Sequence, residues 1–367
     1  MFNMTLEINQ KCNLRCKYCY VTNKDGKEMS FVTAKKAIDY ALVEANQFSD
    51  NTLQINFIGG EPLLSFELLA KIINYVEVSK KTTHIKYSIS TNGMLLSNTI
   101  MKYFKKHNFM IKVSLDGTED SNDINRVDLL GNGSYEKVIS KLSLLKEYEI
   151  ETGNIIQVTN VIVKNNYKNI YNNIFHLTQI LGFKYIDTGF DIVNMSTNEY
   201  QCLGEQIDMV FDLYKNSVFT ESAFNFSFIE KGYFNLIKPK LNSFFSCRGG
   251  IVSAYIKSDG RIYACPKAIE VEVNYGSVLS GLDLDMLLHI NSLNNIDNDE
   301  CSMCDLNKIC GNKRCVFKSL AENGDINKPS EFGCWLVKKS YSIIKSNKKF
   351  FDSIFLRRIS KYEFQNN

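Results

Sequence analysis

Three cysteines stand close together near the start of this 367-residue chain, Cys12, Cys16 and Cys19 in "KCNLRCKYCY". Thiolates at such spacing suit a soft metal centre. A fourth thiolate would close a tetrahedral zinc site or a [4Fe-4S] cluster, so three leave one metal position for another ligand and for chemistry. A second set lies toward the other end of the chain: Cys247, Cys265, Cys301, Cys304, Cys310, Cys315 and Cys334. Its spacing reads Cx12Gx4C, a gap, Cx2Cx5Cx3C, a gap, and C, with Gly260 as the internal glycine. Of the eleven cysteines, Cys202 alone is isolated in sequence. The start, "MFNMTLEINQ", shows no basic segment followed by an apolar one, so it does not read as a secretory signal, and the expected location is the cytoplasm. In such a reducing compartment clustered cysteines bind metal more often than they pair as disulfides; zinc ribbons also use CxxC pairs. The four histidines, His84, His107, His176 and His289, form no catalytic set.

These residues need elements to hold them. Hydrophobic content of 44% and charged content of 23% are those of a globular protein. A net charge of +3 makes no electrostatic case for nucleic acid or a membrane surface, and no apolar run approaches the roughly 20 residues of a membrane span. Strand-like runs occupy 4–9, 53–58, 85–90, 111–116, 155–163 and 183–190. Helical spacing lies between them, as in Ala34, Ala37, Ile38, Ala41 and Leu69, Ile72, Ile73, Val76. Such alternation predicts an α/β fold with a parallel sheet, either an open barrel or a doubly wound sheet. Polar residues at alternate strand positions (Gln54 and Asn56, Ser88 and Ser90, Ser114 and Asp116) favour an incomplete barrel of six units with a polar lumen over a packed closed one. The predicted division is a barrel over 1–198, a connection over 199–246, a cysteine-rich domain over 247–335 and a basic helical tail over 336–367.

CxxxCxxC with Tyr18 before the last cysteine resembles the signature of radical S-adenosylmethionine (SAM) enzymes, and further motifs fall in step with it. Gly59, Gly60, Glu61 and Pro62 follow the second strand as GGEP, "STNG" closes the third at 90–93, and "SLDG" closes the fourth at 114–117. The resemblance implies an enzyme with a partial (β/α)6 barrel. Cys12, Cys16 and Cys19 would hold a [4Fe-4S] cluster whose remaining iron is chelated by S-adenosylmethionine, the source of a 5'-deoxyadenosyl radical. It also implies cofactor contacts from Tyr18, Gly59, Gly60 and Glu61, from Ser90, Asn92, Ser114 and Asp116, and from Arg126 to the cofactor carboxylate.

The later cysteines resemble the SPASM extension of peptide and protein maturases. By that resemblance two auxiliary [4Fe-4S] clusters are expected, one on Cys247, Cys265 and Cys315, the other on Cys301, Cys304, Cys310 and Cys334. No cysteine stands in "NSFFS" just before Cys247, so the first auxiliary cluster has an open position unless Cys202 or a non-cysteine group closes it. The expected activity is modification of a ribosomally made precursor peptide, with a cysteine thioether crosslink favoured. Alternatives are formylglycine formation in sulfatases, carbon–carbon crosslinking and epimerisation. Sulfatase maturases carry an aspartate after the cysteine matching Cys265, where this chain has Pro266 and Lys267; Asp187 or Asp191 could replace it. Expected partners are the precursor peptide, a reductant such as flavodoxin or ferredoxin, and a separate peptide-recognition protein if the connection or basic tail does not serve.

Overall fold

The computed structural model describes residues 1–21, 24, 26–192, 194–237, 249–292, 299–307, 310 and 315–354. Its main sheet contains β1 (Phe2–Asn9), β2 (Thr52–Gly59), β3 (His84–Thr91), β4 (Met110–Ser114), β5 (Gln157–Ile162) and β6 (Tyr185–Phe190). It also contains β7 (Asn225–Phe226), β8 (Ser253–Ile256) and β9 (Ile262–Tyr263), in the order β7-β6-β5-β4-β3-β2-β1-β8-β9. β1 to β6 are parallel and neighbour one another in chain order, so no strand reversal exists to make a doubly wound sheet. The result is the incomplete six-strand barrel.

Side-chain alternation builds its two faces. Met4, Leu6, Ile55, Phe57, Ile89, Ile111, Val113, Val158 and Ile186 are buried on the helix side. The helix Phe31–Ala45 lays Ala34, Ala37, Ile38 and Ala41 on that face, its start capped by Ser30, whose hydroxyl accepts from Thr33 N. The helix Phe66–Ser79 adds Leu69, Ile72, Ile73 and Val76. The opposite face carries Thr5, Asn56 and Ser88 in one register row, and Ser114, Thr159 and Asp187 in another. Asn56 accepts from Gln54 at 2.9 Å and from the Ser88 hydroxyl. Polar groups therefore satisfy one another along the lumen wall.

The structure redraws the expected boundaries. Ser196 and Glu199 form a capping box that starts the helix Thr197–Ser217 before position 199, and this helix buries Leu203, Ile207, Val210 and Phe211. The segment read as a connection is thus in large part a barrel helix, followed by β7 on the far sheet edge and the helix Ser227–Ile237. β8 joins β1 in parallel, continuing the barrel sheet into the cysteine-rich part. The helix Glu331–Ser346 crosses the boundary at 335 and packs Ser340 and Ile344 close to Gly232. Two of its neighbourhood's lysines are paired, Lys339 with Asp208 and Lys348 with Asp352, each at 2.6 Å. Arg357, Arg358 and Lys361 of the predicted tail lie outside the described residues. No described helix is long and apolar enough to cross a membrane.

Candidate active site and cluster-ligand loops

The cysteine loop leaves the C-terminal end of β1 and is tied down on several sides. Arg15 N donates to Val127 O at 2.6 Å and Lys17 N to Asn125 O at 3.0 Å, which fastens the loop to the stretch after SLDG. Glu61 N donates to Lys11 O at 2.7 Å and Gly60 N to Asn9 O at 3.0 Å, which fastens it to GGEP. Within the loop, Cys19 N donates to Cys16 O and Leu14 N to Cys12 Sγ. All three thiols are half-buried; burial pushes Cys12 up to about 11, with the Cys16 charge adding to the rise, and it raises Cys16, which also feels Cys19. Thiols raised in this way need a metal to become thiolates at neutral pH.

The residues expected to meet the cofactor divide into two groups. Ser90 and Ser114 are half-buried at the C-terminal ends of β3 and β4, on the lumen side. Glu61, Asn92 and Asp116 are instead buried and hydrogen-bonded within the protein, and Arg126 is buried with Nε 3.2 Å from Asp116 Oδ1. Glu61 Oε1 accepts from Leu63 N at 3.0 Å and the Thr91 hydroxyl at 2.7 Å, and Oε2 accepts from Asn92 N at 2.7 Å. Burial nonetheless raises its pKa from the ordinary 4.5 to about 7. Asn92 Nδ2 reaches Asn13 Oδ1 inside the cysteine loop at 2.7 Å, and its Oδ1 accepts from Met94 N. Glu61 thus braces two loops, and the STNG asparagine braces the third.

Gly59 and Gly60 stand where the backbone is crowded. A Cβ on Gly60 would stand 2.2 Å from Lys11 O and 2.5 Å from Gln10 O, and one on Gly59 would stand 2.6 Å from Asn9 O. The close approach that needs glycine is to the chain's own backbone just ahead of Cys12. Tyr18 likewise turns inward: its hydroxyl donates to Asp116 Oδ2 at 2.6 Å. Asn13 and Thr91 were missed from sequence. Thr91 lies inside the quoted STNG, so only its partner was invisible.

The later cysteines fall into two places. Cys334 lies in the field of Cys310, Cys301 and Cys304, and burial pushes its thiol up to about 11. Cys265 and Cys315 each stand immediately before a helix, Pro266–Glu270 and Val316–Asn323, and these helices pack together. Cys247 lies outside the described residues. Cys202, on the helix Thr197–Ser217, packs half-buried against the apolar core. Among the described residues no three His, Cys, Asp or Glu side chains converge on a single-ion site. The soft, all-sulfur donor set nevertheless fits an iron–sulfur group, whose ligands sit around a cage rather than one ion.

At the lumen's other side, Asp187 accepts from Ser227 at 2.7 Å and from Lys231 at 2.9 Å. Burial opposes its charge, but Lys231 and Ser227 outweigh burial and lower its pKa. Glu7, buried beneath the cysteine loop, accepts from Tyr255 at 3.1 Å and from both the backbone and hydroxyl of Ser258, at 3.2 and 3.0 Å. Cys265 follows β9 directly, so this contact joins the barrel to the second cysteine region.

The open parallel barrel carries its three-thiol loop at the C-terminal end of β1. Residues 6–170 match the model of the Radical SAM superfamily. An uncharacterised protein of Methanocaldococcus jannaschii is 39% identical over 160 residues, 44% of this chain and 54% of that protein; the chain thus spans about half its length. A cysteine-type anaerobic sulfatase-maturating enzyme of Clostridium novyi is 26% identical over 290 residues, 74% of each chain. The radical SAM cyclopropyl synthase TigE of Paramaledivibacter caminithermalis is 25% identical over 361 residues, 91% of this chain and 71% of that one. Native anSMEcpe with bound AdoMet shares the fold at a TM-score of 0.79 and 16% identity, covering 96% of this chain and 98% of that one. Streptococcus suis SuiB bound to precursor peptide SuiA does so at 0.64 and 18%, covering 91% and 75%.

Proposed function

We propose that the chain is a radical SAM peptide maturase that installs a thioether between a cysteine and a carbon centre of a ribosomally made peptide. The observation that carries the class is the three-thiol loop at the lumen mouth of a radical SAM domain. Cys12, Cys16 and Cys19 would hold a [4Fe-4S] cluster there, with Ser90 and Ser114 lining the cofactor's side of the lumen and the Gly59–Glu61 backbone beside it. When bound, cluster and S-adenosylmethionine together supply a 5'-deoxyadenosyl radical that takes hydrogen from the substrate. A peptide substrate agrees with relatives named as a sulfatase-maturating enzyme and with a fold neighbour solved with its precursor peptide.

The thioether reading rests on two local features. The residues after Cys265 are Pro266 and Lys267, so no carboxylate stands directly beside that cysteine in the chain, and the nearby Glu270 is paired with Lys267 at 2.9 Å. The first auxiliary set, Cys247, Cys265 and Cys315, has one thiolate fewer than Cys301, Cys304, Cys310 and Cys334, leaving a position where metal could hold and deprotonate a substrate thiol. Formylglycine formation is the second reading, favoured by the extent of similarity to the Clostridium novyi enzyme. Partners on either reading are a low-potential reductant, the peptide, and a separate protein if leader recognition is needed.

The test is anaerobic incubation of the iron-reconstituted chain with S-adenosylmethionine, a reductant and a cysteine-containing peptide, followed by mass spectrometry. A thioether removes two hydrogens and makes the cysteine unreactive to iodoacetamide. Formylglycine replaces sulfur by oxygen with the further loss of two hydrogens and creates a hydrazine-reactive carbonyl. Absence of 5'-deoxyadenosine from a sample with full iron content would reject the class itself.

A further inference from the structure

Beyond the cysteine loop the chain returns along the end of β1. Asn9 and Glu28 pair as an antiparallel bridge, and Met29 N donates to Ile8 O at 2.8 Å. Shortly before that bridge, Lys24 O accepts from Cys12 N at 3.3 Å, which fastens the backbone of this lysine to the first cysteine. The end of its side chain is buried: Lys24 Nζ has no hydrogen-bond partner among the described residues. The Lys24 charge acts on Cys12 and on Cys16, favouring the thiolate form of each. Arg126, the other cation acting on Cys16, has the Asp116 carboxylate 3.2 Å away.

We infer that Lys24 is a built-in counter-charge for the metal centre on Cys12, Cys16 and Cys19, placed to favour the reduced state of a [4Fe-4S] cluster held there. This inference rests on the reading of these three thiols as cluster ligands. An ammonium taken out of water without a compensating anion is strongly destabilising, and a neutral thiol does not compensate it. Burial pushes Cys12 up to about 11, so its thiol keeps its proton at neutral pH until a metal displaces it. Metal-bound, the same sulfurs are thiolates and the centre is net negative, which supplies what the buried Lys24 ammonium lacks. Reduction adds one more negative charge, and net charge with hydrogen bonding to sulfur sets the potential of such a group. A cation fixed beside two of its three ligands therefore raises that potential. The Cys12 N bond to Lys24 O keeps ligand and counter-charge together when the loop moves.

The experiment uses the full chain reconstituted with iron and sulfide, in an electron paramagnetic resonance redox titration. The cluster on Cys12, Cys16 and Cys19 is the one whose signal shifts when S-adenosylmethionine is added. Lys24→Met should lower the equilibrium constant for its reduction roughly tenfold, about 59 mV for a one-electron couple, and should speed iron loss to a chelator. Lys24→Arg, which keeps the charge, should stay closer to wild type on both. In the metal-free chain the sign reverses: Lys24→Met should raise the denaturant midpoint, because it removes a buried charge that has nothing to offset it. An unchanged potential in iron-replete Lys24→Met overturns the inference, as does a lower midpoint for that variant without metal, which would make Lys24 a packing residue. Should Lys24→Met take up no iron at this site, Lys24→Gln and Lys24→Arg decide. Loading with arginine but not glutamine supports the counter-charge, failure of both overturns it, and a loaded Lys24→Gln is held to the same shift in potential. If wild type itself gives no signal that responds to S-adenosylmethionine, the cluster reading falls and the inference with it, before any variant is compared.

Discussion

At the scale of single residues, Glu61 has the clearest measurable signature. Its folded pKa of about 7 stands above the ordinary 4.5, so between those values the folded chain keeps a proton that the unfolded chain releases. Its contribution to stability is therefore full below about pH 4.5 and is lost as pH rises through about 7, a change on the order of 3 kcal/mol. Glu61→Gln cannot titrate, so wild type's advantage over this variant in denaturant midpoint should shrink from pH 5 to pH 7.5. A constant difference would show that Glu61 is ionised throughout. The acid itself was legible in the GGEP motif. Its role was not, because a motif names a side chain without saying which way it points.

At the scale of elements, the loops leaving β1, β2 and β3 behave as one unit. Gly60→Ala puts a methyl group against Lys11 O and Gln10 O, which are backbone atoms and cannot swing aside. We expect a loss of roughly 1–3 kcal/mol, typical of overpacking, and lower iron retention at Cys12, measured by chemical unfolding and iron content. Normal stability and iron content would mean that the β1 loop can shift without penalty. Alternation and helical spacing made the six barrel strands and their order readable, since local period follows which face is buried. The division expected between 198 and 199 falls inside the helix Thr197–Ser217, whose start is marked by a capping box, Ser196 with Glu199, and not by a change in hydrophobic period.

At the scale of the whole molecule, the barrel and the cysteine-rich part share a sheet. Glu7 on β1 is 3% exposed and receives Tyr255 and Ser258 from across the joint. Glu7→Ala should lower the thermal midpoint through buried donors left unpaired, at roughly 1–3 kcal/mol for each such group, and should speed proteolytic cleavage between the two parts. Tyr255→Phe should do less, since it leaves the carboxylate its Ser258 and Gln10 donors. Equal midpoints for wild type and Glu7→Ala would place the strength of the joint in β1–β8 pairing alone.

By itself the sequence determined the donor types and their spacing, the parallel six-strand barrel and the polar lumen. Each of these follows from residue chemistry or from a period of a few positions. Tertiary structure alone decided that Glu61, Asn92 and Asp116 bond within the protein, that Gly59 and Gly60 yield to Asn9, Gln10 and Lys11, and that β8 lies beside β1. Those outcomes depend on contacts between segments tens to hundreds of residues apart, and a buried polar group takes whichever partner the fold brings within hydrogen-bonding distance.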